Sequence, residues 1–380
     1  MRLLIVSDTF PPDINGVART LHQLANGLAD FGHHVSIVTT CQGESDERFQ
    51  RHIVTSVPLP GYSVIRLGFA SMAWFAALFE QTRTEVLYVA TETALGIAAI
   101  WAAKRAGIPV VSGFHTNFHT YMRSYHLTAL ERVAESFLAA IHNQTYRTLA
   151  PSAHTAQLLE QMGVASVAVM GRGVNSELFH PQCRDERLRA EWAADERTPV
   201  ILHVGRLAEE KNLPMLEQAV AAFTEVHPNA RCVIVGDGPS GATLRKTHPD
   251  WIFTGMLSGE ILAKHYASAD VFLFPSLTET FGNVVTEAIS SGLVTVAYDY
   301  AAAHEYIRHR ENGLLCAVDE PGTFPKRAQE AALLWDNHAI RTHARATAED
   351  LSWSSITRCF EQHLEQAIQS QIAKQAARLL

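Results

Sequence analysis

Two glutamates, two cations, one histidine and a set of glycines stand just past runs of apolar residues. Their types suit an anionic ligand rich in hydroxyls. Glu279 and Glu287 occur in Pro275-Ser-Leu-Thr-Glu-Thr-Phe-Gly-Asn-Val-Val-Thr-Glu-Ala288. On one continuous helix their spacing means an offset of about 80° and a rise of roughly 12 Å, so the two carboxylates cannot share a point. The spacing fits Glu279 ahead of a helix and Glu287 inside it, bracketing an extended ligand. Phe281-Gly282-Asn283 then opens that helix, where free N–H groups and the dipole favour phosphate. Glu287 lies among Val284, Val285, Ala288 and Ile289. A carboxylate in such surroundings needs a hydrogen-bond partner, and a hydroxyl serves.

Arg206 and Lys211 share the short stretch Gly205-Arg-Leu-Ala-Glu-Glu-Lys211. A guanidinium fork and a compact ammonium there suit the two ends of a diphosphate. Gly236-Asp-Gly238-Pro239 reads as a tight turn. Ser7-Asp-Thr-Phe-Pro-Pro-Asp-Ile-Asn15-Gly16 is a loop that ends where a helix begins, and Gly16 lets backbone approach an anion. Gly113-Phe114-His115 places a histidine at a strand end, and His119 follows it. The loop from Ser7 to Gly16, after the first strand, is not Gly-x-Gly-x-x-Gly, which removes support there for a dinucleotide oxidoreductase.

The elements that must position these residues alternate along the chain. Leu3–Val6, His34–Thr39, Val86–Val89 and Val110–Gly113 read as buried strands, with helices at Val17–Phe31 and Leu95–Ala106. Residues 125–147 read as a helix, whose Leu127, Leu130, Val133, Phe137 and Ile141 are expected to face the core. After a linker around 171–199 the alternation restarts with Val200–Val204, Cys232–Val235, Ile252–Thr254, Val271–Phe274 and Val294–Tyr298. The expectation is α/β, with two Rossmann-like domains at 1–175 and 176–355. A terminal helix at 356–380 is expected to pack back on the first.

The chain has 380 residues and a formal net charge of −8. Residues 1–175 carry 12 basic and 12 acidic groups, and 176–380 carry 19 and 27. That balance argues against nucleic-acid binding, and a neutral front half can approach an anionic membrane. The five cysteines form no closely spaced pair, so neither a zinc motif nor a disulfide framework is expected. Met1–Asp8 is too short an apolar run for a signal peptide. Phe69–Phe79 is too short to span a bilayer. A cytoplasmic protein with at most peripheral membrane contact is expected.

These motifs, in this order, resemble the retaining glycosyltransferases of family four, which have the GT-B fold: two Rossmann-like domains facing each other across a cleft. The likeness covers nearly the whole chain. The Glu279 to Glu287 segment is its most specific part. Gly205-Arg206 with Lys211, Gly236–Pro239, and Gly173-Val174-Asn175 with Phe179 and Pro181 match further positions. The resemblance implies a nucleotide-sugar donor. Gly16 would contact its diphosphate or the reaction centre through backbone, and Arg206 and Lys211 would neutralise the diphosphate. Gly238 would line the donor site, Glu279 would hold the sugar hydroxyls, Asn283, Val284 and Val285 would offer backbone contacts, and Glu287 would hold the ribose. His115 would bind a hydroxyl of the reacting sugar. Catalysis would fall to His115, Glu279, Arg206 and Lys211. The chain has no Asp-x-Asp, in keeping with a fold that needs no metal or other cofactor.

Two departures stand out: Asn15-Gly16 replaces a Gly-Gly pair, and Asp299–Glu305 lacks one, which leaves the role of Glu305 open. Gly171-Arg-Gly-Val-Asn175 and His115-Thr-Asn-Phe118 resemble the branch of GDP-mannose-dependent α-mannosyltransferases and sulfoquinovosyl-diacylglycerol synthases. The expected partners are a nucleotide sugar and a lipid or glycan acceptor, with no nucleic acid. GDP-mannose is favoured as donor over a UDP-hexose for glucosyl, glucuronosyl or sulfoquinovosyl transfer. A nucleotide-sugar epimerase, a secreted sugar-binding protein and an inactive relative that still binds nucleotide sugar are the rival readings. Trp74, Phe75, Leu78 and Phe79 read either as an exposed cluster able to meet a bilayer or a lipid acceptor, or as the buried face of an amphipathic helix.

Overall fold

Short runs such as Arg2-Leu-Leu-Ile-Val6 and Val200-Ile-Leu-His-Val204 are buried almost throughout, because each strand is covered on both faces. The computed structural model describes residues 1–380 apart from 14, 42, 44–47, 60–61, 116–127, 280, 321 and 380. The chain divides into two compact units, Met1–Arg172 with Trp353–Leu380, and Gly173–Ser352. The first junction thus follows Arg172 instead of residue 175, and the return begins at Trp353 instead of 356.

The first unit contains β1 (Arg2–Val6), β2 (His34–Thr39), β3 (Phe49–Ile53), β4 (Thr55–Leu59), β5 (Tyr62–Phe69), β6 (Val86–Val89), β7 (Val110–Gly113), β8 (Arg147–Ala150) and β9 (Val167–Val169). Seven of these form a parallel sheet in the order β3-β2-β1-β6-β7-β8-β9, and β4 and β5 form an antiparallel ribbon. Leu21, Leu24 and Leu28 of the helix Gly16–Asp30 cover one face beside Phe360 and Leu364 of the C-terminal helix Trp353–Leu379. Phe75, Leu78 and Phe79 of the helix Met72–Thr82 cover the other, with Leu95 and Ile100. Each such side chain contributes about 1.5–3 kcal/mol when fully buried.

One alternative about surfaces is resolved here, in favour of the buried helix, and one expectation fails. Phe75, Leu78 and Phe79 are core residues, and only Trp74 of that quartet is exposed, at 36%. The helix Thr128–His142 also turns differently: Val133 and Phe137 face outward, at 66% and 54% exposed, while Leu138, Ile141 and His142 face inward. Polar matching sets that rotation. The His142 Nδ1 lies 3.0 Å from the Ser112 hydroxyl and 3.2 Å from that of Thr148, on the neighbouring strands β7 and β8. Leu127 lies outside the described residues, as does the side chain of Leu130.

The second unit contains β10 (Val200–Val204), β11 (Arg231–Val235), β12 (Ile252–Gly255), β13 (Val271–Phe274), β14 (Val294–Tyr298) and β15 (Leu314–Cys316). They form one parallel sheet in the order β12-β11-β10-β13-β14-β15. Asp270, 1% exposed, directly precedes the interior strand β13 and anchors the sheet at that end. Its carboxylate accepts from Arg189 at 3.0 Å, Arg184 at 3.3 Å, Arg341 at 3.4 Å and the Val200 amide at 2.9 Å. The buried Arg189 also donates to the carbonyls of Ser268, Asp195 and Thr198. Removing the carboxylate would leave Arg189 buried without its counter-charge. Asp270→Ala is therefore expected to destabilise the second unit by about 3–5 kcal/mol, read as a lower urea midpoint; an unchanged midpoint would show the cluster to be dispensable.

Candidate active site

Ligands of open parallel sheets bind past the carboxyl ends of the strands, where neighbouring strands send their connections to opposite sides. In the second unit that point lies between β10 and β13. The sequence places Gly205–Asn212 directly after β10 and Pro275–Gly282 directly after β13. Asn212, in the left-handed region at φ 55°, ends the short turn Glu209–Lys211 and donates to the Pro275 carbonyl at 3.3 Å. Thr278 donates to the Glu210 carbonyl at 3.0 Å, so the two loops are tied to each other.

Lys211 and Glu279 form a direct ion pair between these loops. The Ser276 hydroxyl donates to the same Glu279 oxygen at 2.7 Å, and the Tyr300 hydroxyl donates to the Glu279 carbonyl at 2.7 Å. Burial beside Glu279 pushes the Tyr300 phenol up to about 12, so it stays a donor. Arg206 stands further out in solvent, with Glu210 at 3.5 Å. Gly238 lies on the third loop, after β11. A Cβ there would come within 2.4 Å of the Leu207 carbonyl oxygen, and one at Gly236 (φ 134°) within 1.9 Å of the Gly205 oxygen. The glycines of this turn thus let the β11 loop close against the loop that bears Arg206 and Lys211.

Gly282, at φ 90°, opens the helix Asn283–Ser290. Glu279 precedes that helix and Glu287 sits inside it, buried. The hydroxyl that Glu287 needs comes from the protein itself: Tyr266, on the helix Gly259–Ser268, donates to it at 3.0 Å. The Val285 amide is taken by the Gly282 carbonyl at 2.9 Å, which leaves Asn283 and Val284 as the better placed of the three proposed backbone contacts. Among the described residues no donor reaches the buried Asn283 Oδ1. Under the same loops lies His203, which the sequence reading passed over as one residue of a strand. Its Nδ1 lies 2.9 Å from the Leu273 carbonyl, and its ring stacks on Phe274. Glu305 lies in the short helix Ala301–Tyr306 after β14.

Gly16 and His115 belong to the first unit: Gly16 ends the loop that follows β1, and His115 stands two residues past β7. Gly16 is the first residue of its helix, and the Asn15 side chain caps it, accepting from the Ala18 amide at 2.9 Å. Asp8, in the same loop, was not singled out from sequence. It is buried at the switch point between β1 and β6. Its carboxylate accepts from Thr91 at 2.7 Å, from Thr93 at 2.5 Å and from the Gly68 amide at 2.6 Å. It binds three loop ends together, and burial raises its pKa against those bonds. His115 is only 7% exposed. Its Nε2 lies 2.8 Å from the Tyr88 hydroxyl and its Nδ1 lies 3.5 Å from Arg172 Nη2. His119 lies outside the described residues. Among the described residues no three His, Cys, Asp or Glu side chains converge on one point.

Burial, with Arg172 nearby, lowers the pKa of His115 to about 3. Burial lowers that of His203 to about 4; the Leu273 bond and Glu279 oppose this, and Lys211 adds to it. Both are neutral in the fold, whereas the unfolded chain protonates them near ~6.5. The stability they supply is complete above that value and is lost as the pH falls toward the folded values. Each contributes a slope of up to about 1.4 kcal/mol per pH unit. Urea unfolding between pH 7.5 and 5 is expected to show that loss, with a shallower slope in His203→Phe; an unchanged slope in that variant would contradict the assignment.

Comparison with known proteins gives the family. Residues 14–178 match Glycosyltransferase Family 4, and residues 198–332 match Glycosyl transferases group 1. A GDP-mannose-dependent alpha-mannosyltransferase of Mycobacterium tuberculosis is 32% identical over 99% of both chains. A sulfoquinovosyl transferase of Arabidopsis thaliana is 28% identical over 90% of this chain and 69% of its own. Among solved structures, sucrose-phosphate synthase from Thermosynechococcus elongatus aligns with a TM-score of 0.77 at 18% identity, over 97% of this chain and 99% of that one. Anabaena HepE in complex with UDP aligns equally well, at 0.77 and 17% identity over 96% and 100%. Those two likenesses concern the fold, GT-B. The matched segments and the near-complete relative make this chain a glycosyltransferase of family 4.

Proposed function

We propose that this glycosyltransferase transfers mannose from GDP-mannose, with retention, to a hydroxyl of a lipid or glycan, and that it needs no metal or other cofactor. The observation that carries this reading is the Lys211–Glu279 pair at the switch point, steadied by Ser276. An ammonium has three donors. Lys211 can keep one on Glu279 and turn the others to a diphosphate, with Arg206 approaching from the solvent side. Glu279 then offers its second oxygen to the sugar hydroxyls. Glu287 exchanges or shares the Tyr266 hydroxyl for those of the ribose.

In the reaction the bond from the sugar's anomeric carbon to the leaving phosphate breaks. The bond to the acceptor oxygen forms on the same face, and the acceptor's proton passes to the departing phosphate. Charge builds on that phosphate, so preorganised cations are the main catalytic device. The choice of mannose and guanine is supported by relatives named GDP-mannose-dependent alpha-mannosyltransferase at 30–33% identity. The second reading, a UDP-hexose donor and a diacylglycerol acceptor, is supported by relatives named Sulfoquinovosyl transferase and Alpha-monoglucosyldiacylglycerol synthase at 28% and 26%.

For a lipid acceptor, the protein would work at the cytoplasmic face of a membrane. No helix among the described residues is long and apolar enough to cross one, so contact would be peripheral. Trp74, with Phe69 also exposed, is the side chain of the original cluster still available for it.

The test is transfer from GDP-mannose, UDP-glucose and UDP-sulfoquinovose to lipid extracts and soluble glycans, with the anomer read by NMR. An α-mannoside formed undiminished in EDTA is the expected result. Lys211→Ala is expected to lower turnover by about 10²–10³-fold with the fold intact. A product from a UDP-sugar alone would move the donor assignment, and strict Mg²⁺ dependence would overturn the metal-free mechanism.

A further inference from the structure

His203 holds an atom that the fold leaves without a partner. It lies on β10, fully buried under the loops that follow β10 and β13. Its Nδ1 is 2.9 Å from the Leu273 carbonyl, which only accepts. In a neutral ring the proton is therefore on Nδ1, and Nε2 carries the lone pair. Among the described residues no donor reaches that Nε2. A phenylalanine would fill the same place beside Phe274 without the cost of an unsatisfied acceptor. The approach to Nε2 passes Gly205. A Cβ there would stand 3.5 Å from Nε2 and, its chain neighbours apart, within 4 Å of no other described atom. The missing Cβ thus leaves a gap over the ring, on the loop that carries Arg206 and Lys211.

The charges of these loops call for a third cation. Arg206 faces Glu210 at 3.5 Å, and Lys211 is paired with Glu279. Each cation already has a carboxylate, so the two pairs together carry no net charge. The diphosphate of a nucleotide sugar is a dianion. Its oxygens accept hydrogen bonds, and so does Nε2, so the two can bond only if a proton joins them.

We propose that His203 is a further binding residue of the donor site: as the diphosphate enters, Nε2 takes a proton from the solvent, and the imidazolium donates one N–H to a phosphate oxygen and the other to Leu273. The proposal rests on the donor reading above, which puts the diphosphate at these loops. Among the described residues two charges act on the ring. Lys211, from the loop after β10, opposes protonation, and Glu279, from the loop after β13, favours it. In the free protein burial keeps the ring neutral down to about 4. A dianion beside it raises that value. Between the two values binding takes up a proton, and affinity rises as the pH falls. In the reaction the imidazolium then faces the leaving phosphate as negative charge builds on it.

The experiment is calorimetric titration of the full-length protein with GDP-mannose and with UDP-glucose at pH 6.5, in buffers of different ionisation heat. Neither ligand has a group of its own that titrates near that pH. The heat measured with the wild type is expected to vary with the buffer, as uptake of up to about one proton per ligand requires. His203→Gln keeps a donor for Leu273 but cannot be charged. It is expected to bind without proton uptake and roughly tenfold more weakly, the loss of one charge-assisted hydrogen bond. Gly205→Ala is expected to show the same two losses with an unchanged melting temperature, because its methyl fits but covers Nε2. A merely structural histidine would change the melting temperature and leave the uptake in place. Binding by the wild type with no proton uptake would overturn the proposal even if no His203 variant folds. So would uptake that persists in His203→Gln, which would assign the proton to another group. Binding of neither ligand would overturn the donor reading, and the proposal with it.

Discussion

One ion pair organises the second unit. Lys211 and Glu279 come from loops that follow adjacent strands, β10 and β13, whose chains then leave on opposite sides of the sheet. The divergence opens a crevice at the carboxyl ends of the strands, and the pair stands in it. Neither partner is fully desolvated, so the pair avoids the heavy cost of a buried bridge while keeping more strength than a surface one. Much of the surrounding structure serves that geometry. The glycine turn after β11 packs against the β10 loop, Ser276 and Tyr300 hold the glutamate's side chain and backbone, and Asn212 ties one loop to the other.

The first unit meets its own switch point with buried hydroxyls and a carboxylate in place of an ion pair. Asp8 satisfies its charge with two threonines and an amide, and that network fixes the ends of β1, β5 and β6 relative to one another. Two strands away, His115 is buried and neutral between Tyr88 and Arg172. Such networks are costly if a member is missing and rigid when complete.

What could be read in the sequence follows from how local each signal is. Buried parallel strands announce themselves as short apolar runs, so Leu3–Val6 and Val200–Val204 are legible in the sequence. The loops after them drew attention for the same reason. Phe49-Gln-Arg-His-Ile53 and Thr55-Ser-Val-Pro-Leu59 carry too many polar residues to read as strands. They pair at an edge and in a ribbon. The outward stripe of Val133 and Phe137 defeated periodicity, because the inward positions went to His142 and its hydroxyl partners. Glu287 showed the need for a hydroxyl, but Tyr266 lies 21 residues upstream on another helix, and nothing local connects the two. Tyr88 and Arg172 were invisible for the same reason. Each is unremarkable in its own segment and meets His115 only in the fold.

The central claim is that the loops after β10 and β13 form the donor site, with Lys211 on the diphosphate and Glu279 on the sugar. Calorimetric titration of the wild type, Lys211→Ala and Glu279→Gln with GDP and with GDP-mannose, without metal, separates these roles. Lys211→Ala is expected to weaken both ligands. Glu279→Gln is expected to leave GDP nearly unchanged and remove the extra affinity that the sugar confers. Equal binding by all three proteins would contradict the assignment of these loops, whatever activity the enzyme retains.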